Sequence, residues 1–453
     1  MHDPEAPSWG IEPVPERMRV LGALDGFLLW ANLSVSLLVI VAGAFLVLPA
    51  SQFGLALSLP EALAAIVAAA IVGNLLLGLG GLIGADARVP AMVLMRAPLG
   101  RRGSYLPTGL NVVQCLGWSV FELIIIATGA SALSQQVLGV GGVAFWKIAF
   151  GVVATALAFL GPVGFVRKYV RRFAVWVVIA SLLYLAWWSL HGRHPVALWH
   201  RPGAHAFWAG FDFTLASIIS WTPLVADYTR FARSRSAGFW SAGVGYFVPT
   251  IPLFALGAVI ALSRNISDAT ALLTAVAAGG AASVLALLAL TVDESDEAFA
   301  NVYSGAVSLQ NLLPRVPQRV LVAAFAALAT LGALIVDLRN YQTFLFLLGS
   351  FFVPLFAVLL ADWLLAGRHY DADAIFRARE LRPEMLVSWL AGFCLYQWLS
   401  PQGPAWWTRV VAHAHPHASP WGGASLPSFA AAFVLATLAR TLIRDRAPRQ
   451  SLA

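Results

Sequence analysis

"LALTVDESDEAFANVYSGAV", Leu288 to Val307, crowds Asp293, Glu294, Asp296 and Glu297 into one short stretch with apolar sequence on both sides. Read as a loop, the segment ends a membrane helix in water, and "NVYSGAVSLQNLL" becomes a surface helix. Read as helix, it carries carboxylates to the middle of a bilayer. That choice fixes where the membrane spans fall and whether an acidic site lies inside them.

The surroundings are those of a membrane protein. With 59% apolar and 11% charged residues in 453, the chain has too few ionisable groups to clothe a soluble globule of its size. Stretches able to cross about 30 Å of hydrocarbon, each roughly 20 residues, recur along nearly the whole length. Twelve spans are predicted, at 24–49, 60–84, 106–134, 141–163, 173–191, 207–226, 236–262, 280–313, 319–338, 341–366, 383–399 and 424–443. The opening "MHDPEAPSWGIEPVPERMRV" is polar and has no signal-peptide pattern, so the first span is expected to stay as an anchor.

Basic residues near span ends are retained on the cytoplasmic side. Most of the 29 Lys and Arg fall in alternate connections, among them Arg101 and Arg102, Arg167 to Arg172, Arg230 to Arg235 and Arg377 to Arg382. Both termini are therefore expected in the cytoplasm, and the membrane is expected to be the inner one. The net charge of +7 is spread over many short segments and forms no single basic face, which argues against nucleic acid as a partner. Cys115 and Cys394 fall inside predicted spans and provide no disulfide framework or metal motif.

Many spans with short loops suit a secondary transporter. Such proteins are often built from two inverted repeats, with the substrate site at mid-membrane where corresponding helices are broken. With five spans per repeat, the first and sixth correspond. The first contains "WANLSVS", Trp30 to Ser36, a polar interruption; the sixth contains "SWTP", Ser220 to Pro223, where proline removes a backbone donor.

Two placements of the acidic stretch follow. If 270–292 is the eighth span, the acids lie at its cytoplasmic end. If the span starts near Gly280, they lie near its middle and 268–279 forms a short outer hairpin. A carboxylate at mid-bilayer costs about 2.5 to 3.5 kcal/mol on insertion scales, so pattern alone favours the loop. On a helix, Glu294, Glu297 and Asn301 would share one stripe and Asp293, Asp296 and Ala300 the next.

The third span admits no loop reading. "NVVQCLGWSVFELIII", Asn111 to Ile126, places Glu122 deep in apolar sequence with Trp118 one turn before it. An indole to stack on a flat ring and a carboxylate to accept from its N–H edge would suit a nitrogen-rich heterocycle. Intramembrane carboxylates serve transport, proton relay or ligand binding by default.

These features together resemble nucleobase–cation symporter family 1, whose members carry cytosine, uracil, allantoin, hydantoin and thiamine-precursor pyrimidines. The resemblance rests on "APLGRRGSYLP" leading into "GWSVFE", on "VADYTRFARS", "ANVYSGAVSL" and "ADWLLAGR", and on their order. It implies an all-α integral membrane fold of twelve helices, LeuT-like, with two inverted five-helix repeats and two C-terminal helices. It also implies that the acidic stretch lies within the eighth helix. The corresponding divisions are 1–23, 24–191, 207–366, 383–443 and 444–453. By the resemblance Trp118 stacks the substrate, Asn301 bonds it, and Glu122 stands where relatives often have glutamine. Trp221 is the expected substitute for a second stacking tryptophan whose aligned position falls nearest Ile218, and Glu297 is a further substrate-side residue. A sodium site would draw on backbone carbonyls of the first helix, at Ala31 and Ser34, and on Val292, Ser295 and Asp296 in the eighth. Asp296, in place of a neutral ligand, would either bind sodium more strongly or carry a proton.

The reading is a symporter that imports a pyrimidine-type base, cytosine or hydroxymethylpyrimidine before uracil, with sodium or a proton as coupling ion and no other cofactor. Its rivals are an amino-acid or amine symporter on the same scaffold, and a membrane-embedded enzyme with the acids around a divalent metal.

Overall fold

The computed structural model describes residues 10–159, 174–266, 268–414 and 423–446. The predicted basic segment Arg167 to Arg172, the facing ends of the fourth and fifth spans, the first nine residues and the tail after 446 lie outside the described residues. Among the described residues the chain is helical, without a strand; two isolated bridges join Leu21 to Ala232 and Leu57 to Ala204. Among these residues seven helices are long and apolar enough to cross a bilayer, and a bent pair makes an eighth.

That bent pair is the first span. Helix α1 (Ala23–Ser34) stops at "SVS", and α2 (Leu37–Val47) departs at 52° to it. Val35 and Ser36 are extended, and Ser36 Oγ caps α2 by accepting from Leu38 N at 2.9 Å. A serine whose hydroxyl takes an orphan N–H makes such a break affordable in a membrane.

Helices α3 (Leu59–Ala87), α4 (Tyr105–Leu138), α5 (Val143–Ala158) and α6 (Ala174–Leu190) follow. The sixth predicted span is also interrupted, between α7 (Phe207–Ile219) and α8 (Thr222–Thr229), with Pro223 in the first turn of α8. Amides of α4 take up carbonyls there: Gln114 Nε2 donates to Ser220 O at 2.7 Å and Asn111 Nδ2 to Pro223 O at 3.4 Å. Helix α9 (Arg235–Ser263) packs on α1, α2 and α3.

The acidic stretch is helix, not loop. A two-turn helix, α10 (Ala269–Ala277), replaces the predicted hairpin, and Gly280, at φ +104°, separates it from α11 (Ala281–Asp293) and α12 (Ser295–Leu312). The left-handed backbone at that glycine removes the 270–292 span. Glu294 sits at the joint between α11 and α12.

Helices α13 (Gln318–Ile335) and α14 (Tyr341–Leu365) complete the core, and α15 (Pro383–Leu399) and α16 (Ser425–Arg446) pack against α14. Polar bolts secure this last pair. Buried Asp362 on α14 accepts from Arg382 at 2.8 Å, Tyr370 Oη at 2.6 Å, and Arg440 of α16. At the other end of α16, Asp212 of α7 accepts from Ala424 N at 2.7 Å and Ser425 N at 3.2 Å.

Helices α2 and α9 meet backbone to backbone. A Cβ on Gly43 would lie 2.0 Å from Phe254 O, and one on Gly257 1.7 Å from Ile40 O, whereas Gly109 on α4 has open space around it. Gly257→Ala should therefore destabilise by about 1 to 3 kcal/mol through overpacking. Gly109→Ala should be neutral or gain up to about 1 kcal/mol in helix propensity. Melting temperatures of the purified variants check the contrast; equal shifts would refute the close crossing.

Candidate functional site

The site begins where the first-span break meets the α11–α12 joint. Glu294, fully buried, reaches from the α11–α12 joint to the gap in the first span, where its Oε1 accepts from Ser36 Oγ at 2.8 Å and its Oε2 from Leu37 N at 2.5 Å. The exposed amides at the start of α2 are a natural seat for an anion. A side chain of the protein itself occupies that seat.

Beside this contact lies a closed cleft. Its walls include Trp118 and Glu122 from α4, Trp221 from the break in the sixth span, and Glu297 and Asn301 from α12. Asn301 Nδ2 donates to Glu122 Oε1 at 2.7 Å and to Glu297 O at 3.3 Å. Each indole is held by its own aromatic neighbours. Trp118 makes edge contacts with Tyr341 at 5.9 Å and Phe344 at 5.6 Å; Trp221 does so with Trp30 at 5.7 Å. The cleft leaves about 10 Å³, room for about one water. A ring therefore enters only as the walls part.

A sequence model for the family described as permease for cytosine/purines, uracil, thiamine and allantoin matches residues 13–385. The chain belongs to this permease family. It is 24% identical over 351 residues to the cytosine permease of Escherichia coli K12, covering 73% of this chain and 78% of that one. It is 26% identical over 380 residues to the allantoin permease of Bacillus subtilis 168, covering 72% and 71%. Its fold matches Mhp1, a nucleobase-cation-symport-1 family transporter solved in a closed conformation with bromovinylhydantoin bound. The TM-score is 0.76 at 17% identity, over 98% of this chain and 96% of that one. The protein is thus a multi-pass membrane transporter and not an enzyme. Among the described residues no three His, Cys, Asp or Glu are grouped to hold a metal ion.

Within this permease the five side chains expected near the substrate come together in one cleft, and Ile218 does not join them. Ile218 is buried against Gly73 of α3, while Trp221, at the break, lines the cleft. The residues expected around a cation are less gathered. Ser34 Oγ donates to Tyr246 O at 3.0 Å and pairs with Thr250 Oγ1 at 3.1 Å, so its hydroxyl faces α9. Ala31 is half-buried and Ser295 buried. The Val292 side chain is 62% exposed and faces away from the core, leaving only its backbone for such a role. The side chain of Asp296 lies outside the described residues.

Two lining groups, Tyr246 and Tyr341, carried no sequence signal. Tyr341 opens α14, where an aromatic residue reads as an interface anchor, and Tyr246 lies in an unremarkable turn of α9; both line the cleft with Ser217 and Ser220. Glu294, expected on one stripe with Glu297 and Asn301, reaches the first span at Ser36, which lines the same cleft as they do.

Glu294→Ala strands the Leu37 N–H in the interior, a loss of about 1 to 3 kcal/mol, whereas Glu294→Gln keeps an acceptor and a donor and should cost less. Thermal unfolding in detergent ranks the three proteins as wild type, Gln, Ala; an alanine variant as stable as wild type would contradict the contact.

Proposed function

We propose that this permease imports a pyrimidine-type nucleobase or precursor, with cytosine and hydroxymethylpyrimidine as the preferred candidates. Transport is driven by symport of sodium or a proton. The observation that carries the reading is the convergence of Trp118, Trp221, Glu122 and Asn301 on one buried cleft, with Asn301 donating to Glu122. Aromatic walls suit a planar ring, and the carboxylate suits a ring edge rich in N–H groups. An edge that presents carbonyls, as in uracil or hydantoin, would set lone pairs against that carboxylate. The relatives include permeases for cytosine, hydantoin and allantoin, so the order among substrates rests on the chemistry of the cleft.

The architecture proposed for this work is twelve spans in two inverted five-helix repeats plus α15 and α16, with both termini in the cytoplasm of a cell bounded by this inner membrane. The matched interruptions of the first and sixth spans support the repeat pairing, and the distribution of Arg and Lys supports the orientation. Alternating access would open the contracted cleft to one side at a time. Because an ion shifts that equilibrium only through unequal affinity for its states, the coupling ion must be held more tightly in the loading state. The acidic lining also suits an ammonium, which keeps an amine symporter as the second reading.

Proteoliposome uptake of labelled cytosine and hydroxymethylpyrimidine, under separate sodium and pH gradients, tests the assignment. Glu122→Ala should cut cytosine uptake roughly 10- to 100-fold, the loss of a hydrogen bond to a charged group. Uptake of uracil or hydantoin without any response to aminopyrimidines would remove the reading, and competition by free amines would favour the second.

A further inference from the structure

A second cavity, which shares no lining residue with the cleft, opens where the connection from α14 to α15 meets the end of α16. It holds about 370 Å³ and is lined by Arg379, Arg382, Arg440, Asp362, Glu384 and Tyr370; every other lining residue is an alanine, so nothing bulky fills it. Three guanidiniums there face two carboxylates, an excess of one positive charge.

The acids are already committed. Asp362 Oδ1 accepts from Arg382 Nη1 at 2.8 Å and from Arg440 Nη1, and its Oδ2 accepts from Tyr370 Oη at 2.6 Å. Glu384 Oε1 lies 3.5 Å from Arg382 Nε. Among the described residues the Arg440 side chain has no partner besides Asp362, and the exposed Arg379 side chain has none at all. An arginine without a partner is ordinary on a solvated surface, but the backbone that carries Arg379 is pinned. Arg101 N donates to Arg379 O at 2.9 Å, Arg102 N to Glu380 O at 2.8 Å and Arg382 N to Leu99 O at 3.0 Å. Gly100, at φ +90°, permits this approach, since a Cβ there would lie 2.8 Å from Arg379 O. The wall is therefore built before any ligand arrives.

A guanidinium presents parallel N–H donors that match the oxygens of a phosphate group. The cavity lies on the side where Arg101, Arg102 and the 377–382 segment gather, which is cytoplasmic in the orientation proposed above. Basic pockets between membrane helices on that side suit phospholipid headgroups. The neighbouring helices α15 and α16 expose Val387, Leu390, Leu438 and Leu442, apolar surface on which acyl chains would lie.

We propose that this cavity is a phosphate-binding site, taking the phosphate group that an anionic phospholipid or a free phosphate presents. Arg379 and Arg440 donate to it, and Arg382 keeps Asp362 in place. An occupant joins the α14–α15 connection to α16 and so fastens the last two helices to the core. The site does not depend on which base the cleft carries.

A ligand that binds the folded state raises its melting temperature. The full chain in neutral detergent is melted with phosphatidylglycerol, with phosphatidylcholine, and with inorganic phosphate against chloride at matched ionic strength. Phosphatidylglycerol or inorganic phosphate should raise the midpoint, and phosphatidylcholine and chloride should not. Arg379→Gln strands no partner, so it should fold as wild type and weaken the apparent affinity roughly tenfold or more, the loss of hydrogen bonds to a charged group. Arg377→Gln removes the same charge from the same connection outside the cavity lining and should leave that affinity unchanged. A response to phosphatidylglycerol alone assigns the site to lipid, a response to inorganic phosphate alone assigns it to a free phosphate, and a response to both shows that the phosphate group is what is recognised. No response to either overturns the proposal. So does phosphatidylcholine matching phosphatidylglycerol, or Arg377→Gln weakening the response as much as Arg379→Gln.

Discussion

The carboxylate of Glu294 is the contact on which the arrangement of the site depends. It joins the α11–α12 junction, where the backbone stays helical, to the interruption in the first span, with one oxygen on the Ser36 hydroxyl and the other on the Leu37 amide. Unwound backbone inside a bilayer is tolerated only where its polar groups find partners in protein or a wet cavity. Here a side chain of another helix supplies what the first-span break lacks. The start of α2 presents unpaired N–H groups, and the joint of α11 and α12 presents an anion. Ser36 serves both ends, since its hydroxyl donates to Glu294 while accepting from Leu38 N at 2.9 Å.

From that contact a polar seam runs between α4 and α12. On α4, Asn111, Gln114, Trp118 and Glu122 recur at helical spacing; on α12, Glu297, Asn301, Ser304, Ser308 and Asn311 do the same. Asn301 meets Glu122, and Asn111 donates to Ser308 Oγ at 2.8 Å. Asn311 donates to Thr108 Oγ1 at 2.8 Å and accepts from Arg96 Nε at 2.9 Å. Interhelical hydrogen bonds of this kind hold membrane helices in register where apolar burial cannot. The seam is structural along most of its length and changes character at its Glu122–Asn301 end. There the groups stop closing on one another and turn towards the cleft.

Much of this was legible in the sequence because it depends on local pattern. Apolar length predicted the long helices at 59–87, 105–138, 235–263 and 341–365, serine and proline predicted the breaks at 34–36 and 220–223, and one helical turn between Trp118 and Glu122 predicted a shared face. The acidic stretch was ambiguous for an opposite reason. A carboxylate in a membrane is acceptable only with its partners, and the partner of Glu294 lies 258 positions away. The same holds for Tyr246 and Tyr341, whose place at the cleft follows from how α9 and α14 pack. Val292, two positions before Glu294 and so on the opposite face of the helix, turns its side chain outward.

The balance of charge around the cleft links the scaffold to its work. Basic residues stand at the edges of the membrane, where Arg382 and Arg440 meet Asp362 and Arg235 meets Asp86 at 2.5 Å. Among the described residues the polar lining of the cleft is carboxyl, amide and hydroxyl, without a basic side chain. A pre-paired lysine would have satisfied Glu122 and left nothing for a ligand to do. Without one, the lining is best satisfied by what the protein carries, so the free energy of binding arises at the groups whose spacing closure must set. Glu294 then gives that spacing a lever. It holds the hinge of the first span through Ser36, which also lines the cleft, so the hinge and the groups around the cleft share one wall.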